Sequence, residues 1–173
     1  MWLLLKNLIY TVVVPGFIVG WMPLAFLTRI RQWPEHWTFF HYLAFLPLLL
    51  GLGLYFLSLW QVLKKGQATP LPLDPPQKVL ARGPYGWVRN PLYISFLLMV
   101  LGEALFFERV VLWLYLVFLA SALQLIVVMI EEESLRRRFG ALYSDYCNVT
   151  NRWWPRRPRP RTVPIEPYEM KRR

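Results

Sequence analysis

Arg82–Tyr93 reads RGPYGWVRNPLY, a polar, turn-rich stretch that stops where an apolar run begins. Its last residues mark a helix start. Asn is favoured as an N-cap, Pro at the first helical position, and the residue before Pro is kept out of the helical region, so Asn90-Pro91 predicts a helix from 91 to about 107. Glu108-Arg109 then makes a tight turn, and a second apolar run covers about 110–130. That run ends on Glu131-Glu132-Glu133. The hairpin therefore brings two ionisable clusters to one end of an apolar pair of helices. Ionisable groups at the edge of a membrane bundle are costly unless used, which makes the two clusters the candidate site.

Two further apolar runs precede this hairpin, at about 8–27 and 39–60. Each is close to the ~20 residues that cross a ~30 Å hydrocarbon core. Pro15 and Pro23 should kink or shorten the first, and Gly51-Leu52-Gly53 should let the second pack closely. The 173 residues are 56% hydrophobic and 17% aromatic, with the apolar residues in blocks. The expected fold is thus all-α: a multi-pass transmembrane helix bundle of about four spans, forming one domain over 1–150. The first run is read as a membrane helix and not as a cleaved leader, because no small-x-small site follows it.

Between the second and third spans, Thr69–Pro76 holds four prolines and should be extended. After the fourth span, Leu135, Phe139, Leu142 and Tyr146 recur at helical spacing, so 131–146 is expected as one amphipathic helix on the membrane surface. An extended Arg/Pro-rich tail, 151–173, follows it. The formal net charge is +10. In a soluble chain that surplus would suggest nucleic acid; in a membrane bundle it points to anionic lipid headgroups at the basic tail, with no nucleic-acid partner. The connection at 61–90 and the tail share a side, and both are basic, so the positive-inside rule puts the N- and C-termini in the cytoplasm. Arg29 and Arg31, on the outer side, run against that rule.

Single residues leave alternatives open. Asn90 either caps a helix or, with Arg89, helps a helix N-terminus bind an anion. Tyr85 and Tyr93 fit an interfacial aromatic belt or a binding site, while Gly83-Pro84 lets the backbone turn before them. Glu131–Glu133 sit at a helix C-terminus, where the macrodipole opposes negative charge. Either Arg136–Arg138 relieve them through i,i+4 pairs or a cationic ligand group does. Glu103, about 18 Å into the third span, is a hydrogen-bonded packing residue or part of a substrate pocket. His36 and His41 fall at the opposite membrane face and read as interfacial. Cys147, the single cysteine, reads as an ordinary thiol, and Asn148-Val149-Thr150 is a chance sequon.

RGPYGWVRNPLY, then EEESLRRRFGALYSDYC, then RWWP, resembles the isoprenylcysteine carboxyl methyltransferase and phospholipid methyltransferase superfamily of small integral-membrane enzymes. The family pattern is close to G-x-Y-x-x-x-R-H-P-x-Y followed by E-E-x-x-L-x-x-x-F-G-x-x-Y-x-x-Y. It is met by Gly83, Tyr85, Arg89, Pro91 and Tyr93, then by Glu131, Glu132, Leu135, Phe139, Gly140, Tyr143 and Tyr146. The resemblance covers about Thr69 to Pro155. The family His is Asn90 here, a form familiar among bacterial members. Ser95 and Gly102 stand at positions the family keeps small.

The resemblance implies an S-adenosylmethionine-dependent methyltransferase acting on a lipophilic or amphiphilic acceptor, a carboxylate or an amine, in a prokaryotic cytoplasmic membrane. It implies Arg89 and Glu132 as catalytic residues. Gly83, Tyr85, Arg89, Asn90, Pro91, Tyr93, Gly102, Glu131, Glu132, Tyr143 and Tyr146 would surround the cofactor, and Glu103 and Trp153 would meet the substrate. No metal is expected. Two other readings compete. One is a non-catalytic membrane protein that uses the basic tail for lipid or a partner. The other is a nicotinamide-dependent reductase, since membrane sterol reductases resemble the superfamily in their C-terminal part.

Overall fold

The computed structural model describes residues 13–28, 36–66 and 81–156. Residues 8–12 of the expected first span, Arg29, Arg31 and Trp33, the proline-rich part of the long connection, and the tail from 157 onward lie outside the described residues. Among the described residues the chain is helical, with no strand.

Six helices follow in order among the described residues. Helix α1 is Val13–Leu27 and α2 is Phe39–Lys64. The single-turn α3 is Pro84–Trp87 and α4 is Pro91–Phe107. Helix α5 is Val110–Phe139, and α6 is Ala141–Val149. Two of these, α2 and α5, are long and apolar enough to cross a membrane; α1 and α4 are shorter apolar helices beside them. Only 28% of the most apolar window of α2 and of α5 is buried. Phe39, Phe56, Trp60, Val117 and Met129 all face outward. So much exposed apolar surface suits a lipid solvent. The fold is that of a helical membrane bundle.

Local chemistry explains the irregularities. Pro15 lacks an N–H, and a wide π-helical turn at Gly16–Trp21 follows it in α1. The Tyr115 hydroxyl donates to the Ile18 carbonyl within that turn at 2.8 Å. Glu108 adopts left-handed backbone (φ 50°) as the chain turns from α4 into α5. The amphipathic helix expected over 131–146 is instead two pieces. Helix α5 runs through to Phe139, the chain breaks at Gly140 (φ 53°), and α6 starts afresh at Ala141. Left-handed backbone ends a helix, and Gly adopts it without a Cβ penalty.

Helix α4 is the centre of the bundle, packed on α2 along its length and on α5. Phe96 and Val100 of α4 are fully buried among Tyr55 and Leu59 of α2 and Leu119, Leu123 and Val127 of α5. The α2–α4 contact depends on two glycines. A Cβ on Gly51 would stand 2.8 Å from the Ser95 carbonyl oxygen, and one on Gly102 would stand 2.9 Å from that of Ala44. Gly53 has nothing within 4 Å of the same position. Small residues allow such backbone approach in membrane bundles, where van der Waals packing drives association.

Gly102→Ala should therefore part the two helices and cost about 1–3 kcal/mol. Each kcal/mol lowers the unfolding midpoint by about 2–4 °C in a chain of this size. Gly53→Ala should leave it unchanged or slightly higher. Thermal unfolding of the detergent-solubilised variants separates them, and equal responses would refute the packing account.

Candidate functional site

The helices deliver both ionisable clusters to one end of the bundle. At that end Gly83 (φ 56°) turns the chain into α3, and Val88 leaves it in extended conformation. Val88 forms an isolated parallel bridge with Asn151. The Arg89 N–H donates to the Asn151 carbonyl and the Arg156 N–H to the Trp87 carbonyl, both at 2.9 Å. Residues 151–156 of the expected extended tail are thus a strap folded back along the RGPYGWVRNP segment.

The second cluster is aimed inward by a defect in α5. Its buried positions run Leu112, Tyr115, Leu119, Leu123 and Val127 at helical spacing, and the next is Glu132, five residues on. A π-helical turn at Val127–Glu131 supplies the wide step. A regular turn would continue the stripe at 130 or 131; the wider one carries Glu132 into the interior.

Glu132 is 5% exposed and lies between two arginines. Arg152 grips it with both edges of its fork, Nε to Oε1 at 2.7 Å and Nη2 to Oε2 at 2.8 Å. Arg89 Nη1 lies 3.1 Å from the same Oε1 and donates to Cys147 Sγ at 2.7 Å. Arg89 Nε is buried with no hydrogen-bond partner. Its hydrogen bond to Glu132 raises the Arg152 pKa further above its already high value. Arg152 therefore stays charged across the working pH range.

The other expected residues divide. The Tyr93 hydroxyl donates to the Glu131 carboxylate. The Tyr146 hydroxyl donates to the Tyr85 carbonyl at 2.7 Å. Tyr143 is buried, 6.0 Å from Tyr146 between ring centres, and burial raises its phenol pKa. Trp153 reaches into the bundle, its indole N–H donating to Gln124 Oε1 at 2.6 Å. Pro91 opens α4, but the Asn90 side chain does not cap it; its amide donates to the Arg152 carbonyl at 3.3 Å. Gly102 and Glu103 are not brought to this cluster. Gly102 packs against α2, and Glu103, about 18 Å along α4 from Pro91, has a buried Oε2 with no partner.

Local pairing accounts for exposed Glu133, which accepts from Arg137 one turn on, at 2.9 Å. Arg152 and Cys147 are the cluster members that sequence reasoning did not single out. The Arg of RWWP was the available signal for Arg152. Its partner, 20 residues earlier across the Gly140 break, was not readable from spacing.

Chemically, such a cluster can attract an anion. Two guanidiniums share one carboxylate beside the start of α4, and a buried N–H remains free. No histidine lies there; His41 is at the far end, accepting the Thr38 N–H at 3.1 Å.

A family model described as phospholipid methyltransferase matches residues 39–141, more than half the chain. No curated protein and no solved structure is significantly similar to it.

Glu132→Ala leaves two arginines facing each other around a buried gap and should cost about 3–5 kcal/mol. Glu133→Ala removes an exposed pair and should cost well under ~1 kcal/mol. Unfolding midpoints measured side by side test the contrast, and a Glu132 variant as stable as the Glu133 one would show that the buried pairing is not what holds this end together.

Proposed function

The chain belongs to the phospholipid methyltransferase family, and we propose that it uses S-adenosylmethionine to methylate a lipophilic or amphiphilic acceptor bearing an amine or a carboxylate. The observation that supports this most directly is Arg89 Nε, a buried donor without a partner at the start of a helix. Buried donors are almost always satisfied. Two guanidiniums also share the single carboxylate of Glu132, so Arg89 has donor capacity that Glu132 does not use. A ligand carboxylate answers both, and the helix N-terminus adds to its attraction. S-Adenosylmethionine carries a carboxylate, so the donor set fits it.

In this reading Arg89 binds the carboxylate. Glu132, already engaged by Arg89 and Arg152, holds the cations in place and does not contact the ligand. Glu131, oriented by the Tyr93 hydroxyl, is the carboxylate left for an ammonium or for ribose hydroxyls. Tyr85, Tyr143, Tyr146 and Trp153 wall the remainder, and Gly83 keeps the loop close to α2. Gly102 serves through helix packing, and Glu103 would meet an acceptor far from the methyl group.

When bound, S-adenosylmethionine supplies a methyl group made electrophilic by its sulfonium. The chain's own residues then have to align the acceptor and keep the corner dry. A carboxylate acceptor needs no general base, and an amine has only to arrive deprotonated, which suits a cluster without histidine. The site lies at one end of lipid-facing helices, so the acceptor enters from the bilayer. The membrane arrangement that goes with this is four spans, both termini in the cytoplasm of a prokaryotic cell, and a basic tail on anionic headgroups.

Calorimetry with S-adenosylhomocysteine on the detergent-purified protein tests the reading. Micromolar binding is expected, lost by roughly ten-fold or more in Arg89→Ala and unchanged in Glu133→Ala. A folded wild type that binds nothing would overturn it.

A further inference from the structure

We infer that Gln61, near the end of α2, is a further cofactor-binding residue, its side-chain carbonyl accepting an N–H or O–H donor of the ligand. The inference rests on the cofactor reading above and adds to it a residue of α2, a helix otherwise engaged in packing.

The antiparallel contact of α2 with α4 fixes the level at which Gln61 lies. Gly51 packs on Ser95, and Ala44 on Gly102. From Gly51 to Gln61 is ~15 Å of helix, whereas from Ser95 back to Pro91 is only ~6 Å. Gln61 therefore lies past the start of α4, level with the loop that carries Arg89. Its contact with that loop is direct. A Cβ on Gly83 would overlap Gln61 Nε2 and stand 2.8 Å from its Cδ, so the Gln61 amide fills the space that a side chain at 83 would need. Oε1 is the end of the amide farther from that point, at 3.3 Å, so the carbonyl is turned away from Gly83.

Gln61 Oε1 is buried and has no hydrogen-bond partner among the described residues. Buried polar atoms are ordinarily paired, and one left open costs more than a typical bond returns. At the same end of the bundle Arg89 Nε is a buried donor, likewise unpartnered, so the two do not satisfy each other. An open donor and an open acceptor around one loop suit a ligand that carries a carboxylate and, elsewhere, N–H or O–H groups. S-Adenosylmethionine carries such groups at its ammonium, its ribose hydroxyls and its adenine amino group.

The experiment measures affinity for S-adenosylhomocysteine, for its analogue without the ammonium and for its analogue with purine in place of adenine. Wild type, Gln61→Met and Gln61→Leu are compared, with unfolding midpoints of the ligand-free proteins alongside; Met keeps the length of Gln without its amide. Both variants should bind S-adenosylhomocysteine roughly three- to ten-fold more weakly, the effect of one neutral hydrogen bond. Their ligand-free midpoints should stay level or rise, because no buried acceptor is left open. A residue that merely packs against the loop would behave differently, and weaker binding together with lowered midpoints in both variants would overturn the inference. The analogue that lacks the donor received by Gln61 should bind wild type and variants equally, and a loss that persists with both analogues assigns the ribose hydroxyls. Unchanged affinity for S-adenosylhomocysteine in the variants would overturn the inference while leaving the cofactor reading intact. No binding by folded wild type would overturn the cofactor reading and this role with it.

Discussion

A carboxylate that is 5% exposed has to be paired, and at Glu132 that requirement shapes the polar end of the molecule. An unpaired buried charge costs several kcal/mol, more than most single interactions return. The partners come from opposite directions. Arg89 arrives from the loop before α4 and Arg152 from the strap after α6. Bringing both to one carboxylate forces the loop and the strap side by side, which the Val88–Asn151 bridge and the backbone bonds at Arg89 and Arg156 then fix. The polar end is thus closed by electrostatic pairing, whereas the rest of the bundle is held by packing.

The helices supply the fixed distances that pairing needs. Gly51 and Gly102 bring α2 and α4 to backbone contact, so the start of α4 is held from beside. The π-helical turn in α5 does a different task. It moves the buried stripe by one residue just before the acidic cluster, so Glu132 points in while Glu133 stays exposed and pairs locally. Neighbouring identical residues acquire different roles from that one extra residue in a turn.

Much of this was legible in the sequence because it is local. Long apolar runs, Pro91 after Asn90 and the Glu108-Arg109 turn each declare themselves within a few residues, and the helices follow. The two clusters were legible as a candidate site because ionisable groups at the end of apolar runs are conspicuous. What could not be read is pairing at a distance. Spacing offered Arg136–Arg138 as partners for the acidic run; Glu133 pairs that way with Arg137, while Glu132 is gripped by Arg152 and faced by Arg89. Spacing likewise carried one helix through Gly140, because a hydrophobic period does not register a single residue at positive φ. Asn90 has a capping sequence but spends its amide on the strap, a partner 62 residues away. Gly102 was placed with the site by resemblance; its surroundings are those of a helix contact.

The mutual bracing of the cluster suits the reaction proposed for it. Two guanidiniums are held against one carboxylate, and Tyr93 orients the neighbouring Glu131. Side chains fixed in this way can hold a charged ligand in one orientation. Group transfer from an already activated donor asks for orientation above all, and effective molarities of ~10⁵ M or more are available from alignment alone. A site made of charged, mutually braced side chains at one end of a helical bundle therefore suits the methyl transfer proposed for it. The bracing explains why residues 151–156 are laid against the bundle, with Trp153 on Gln124 and Arg152 on Glu132.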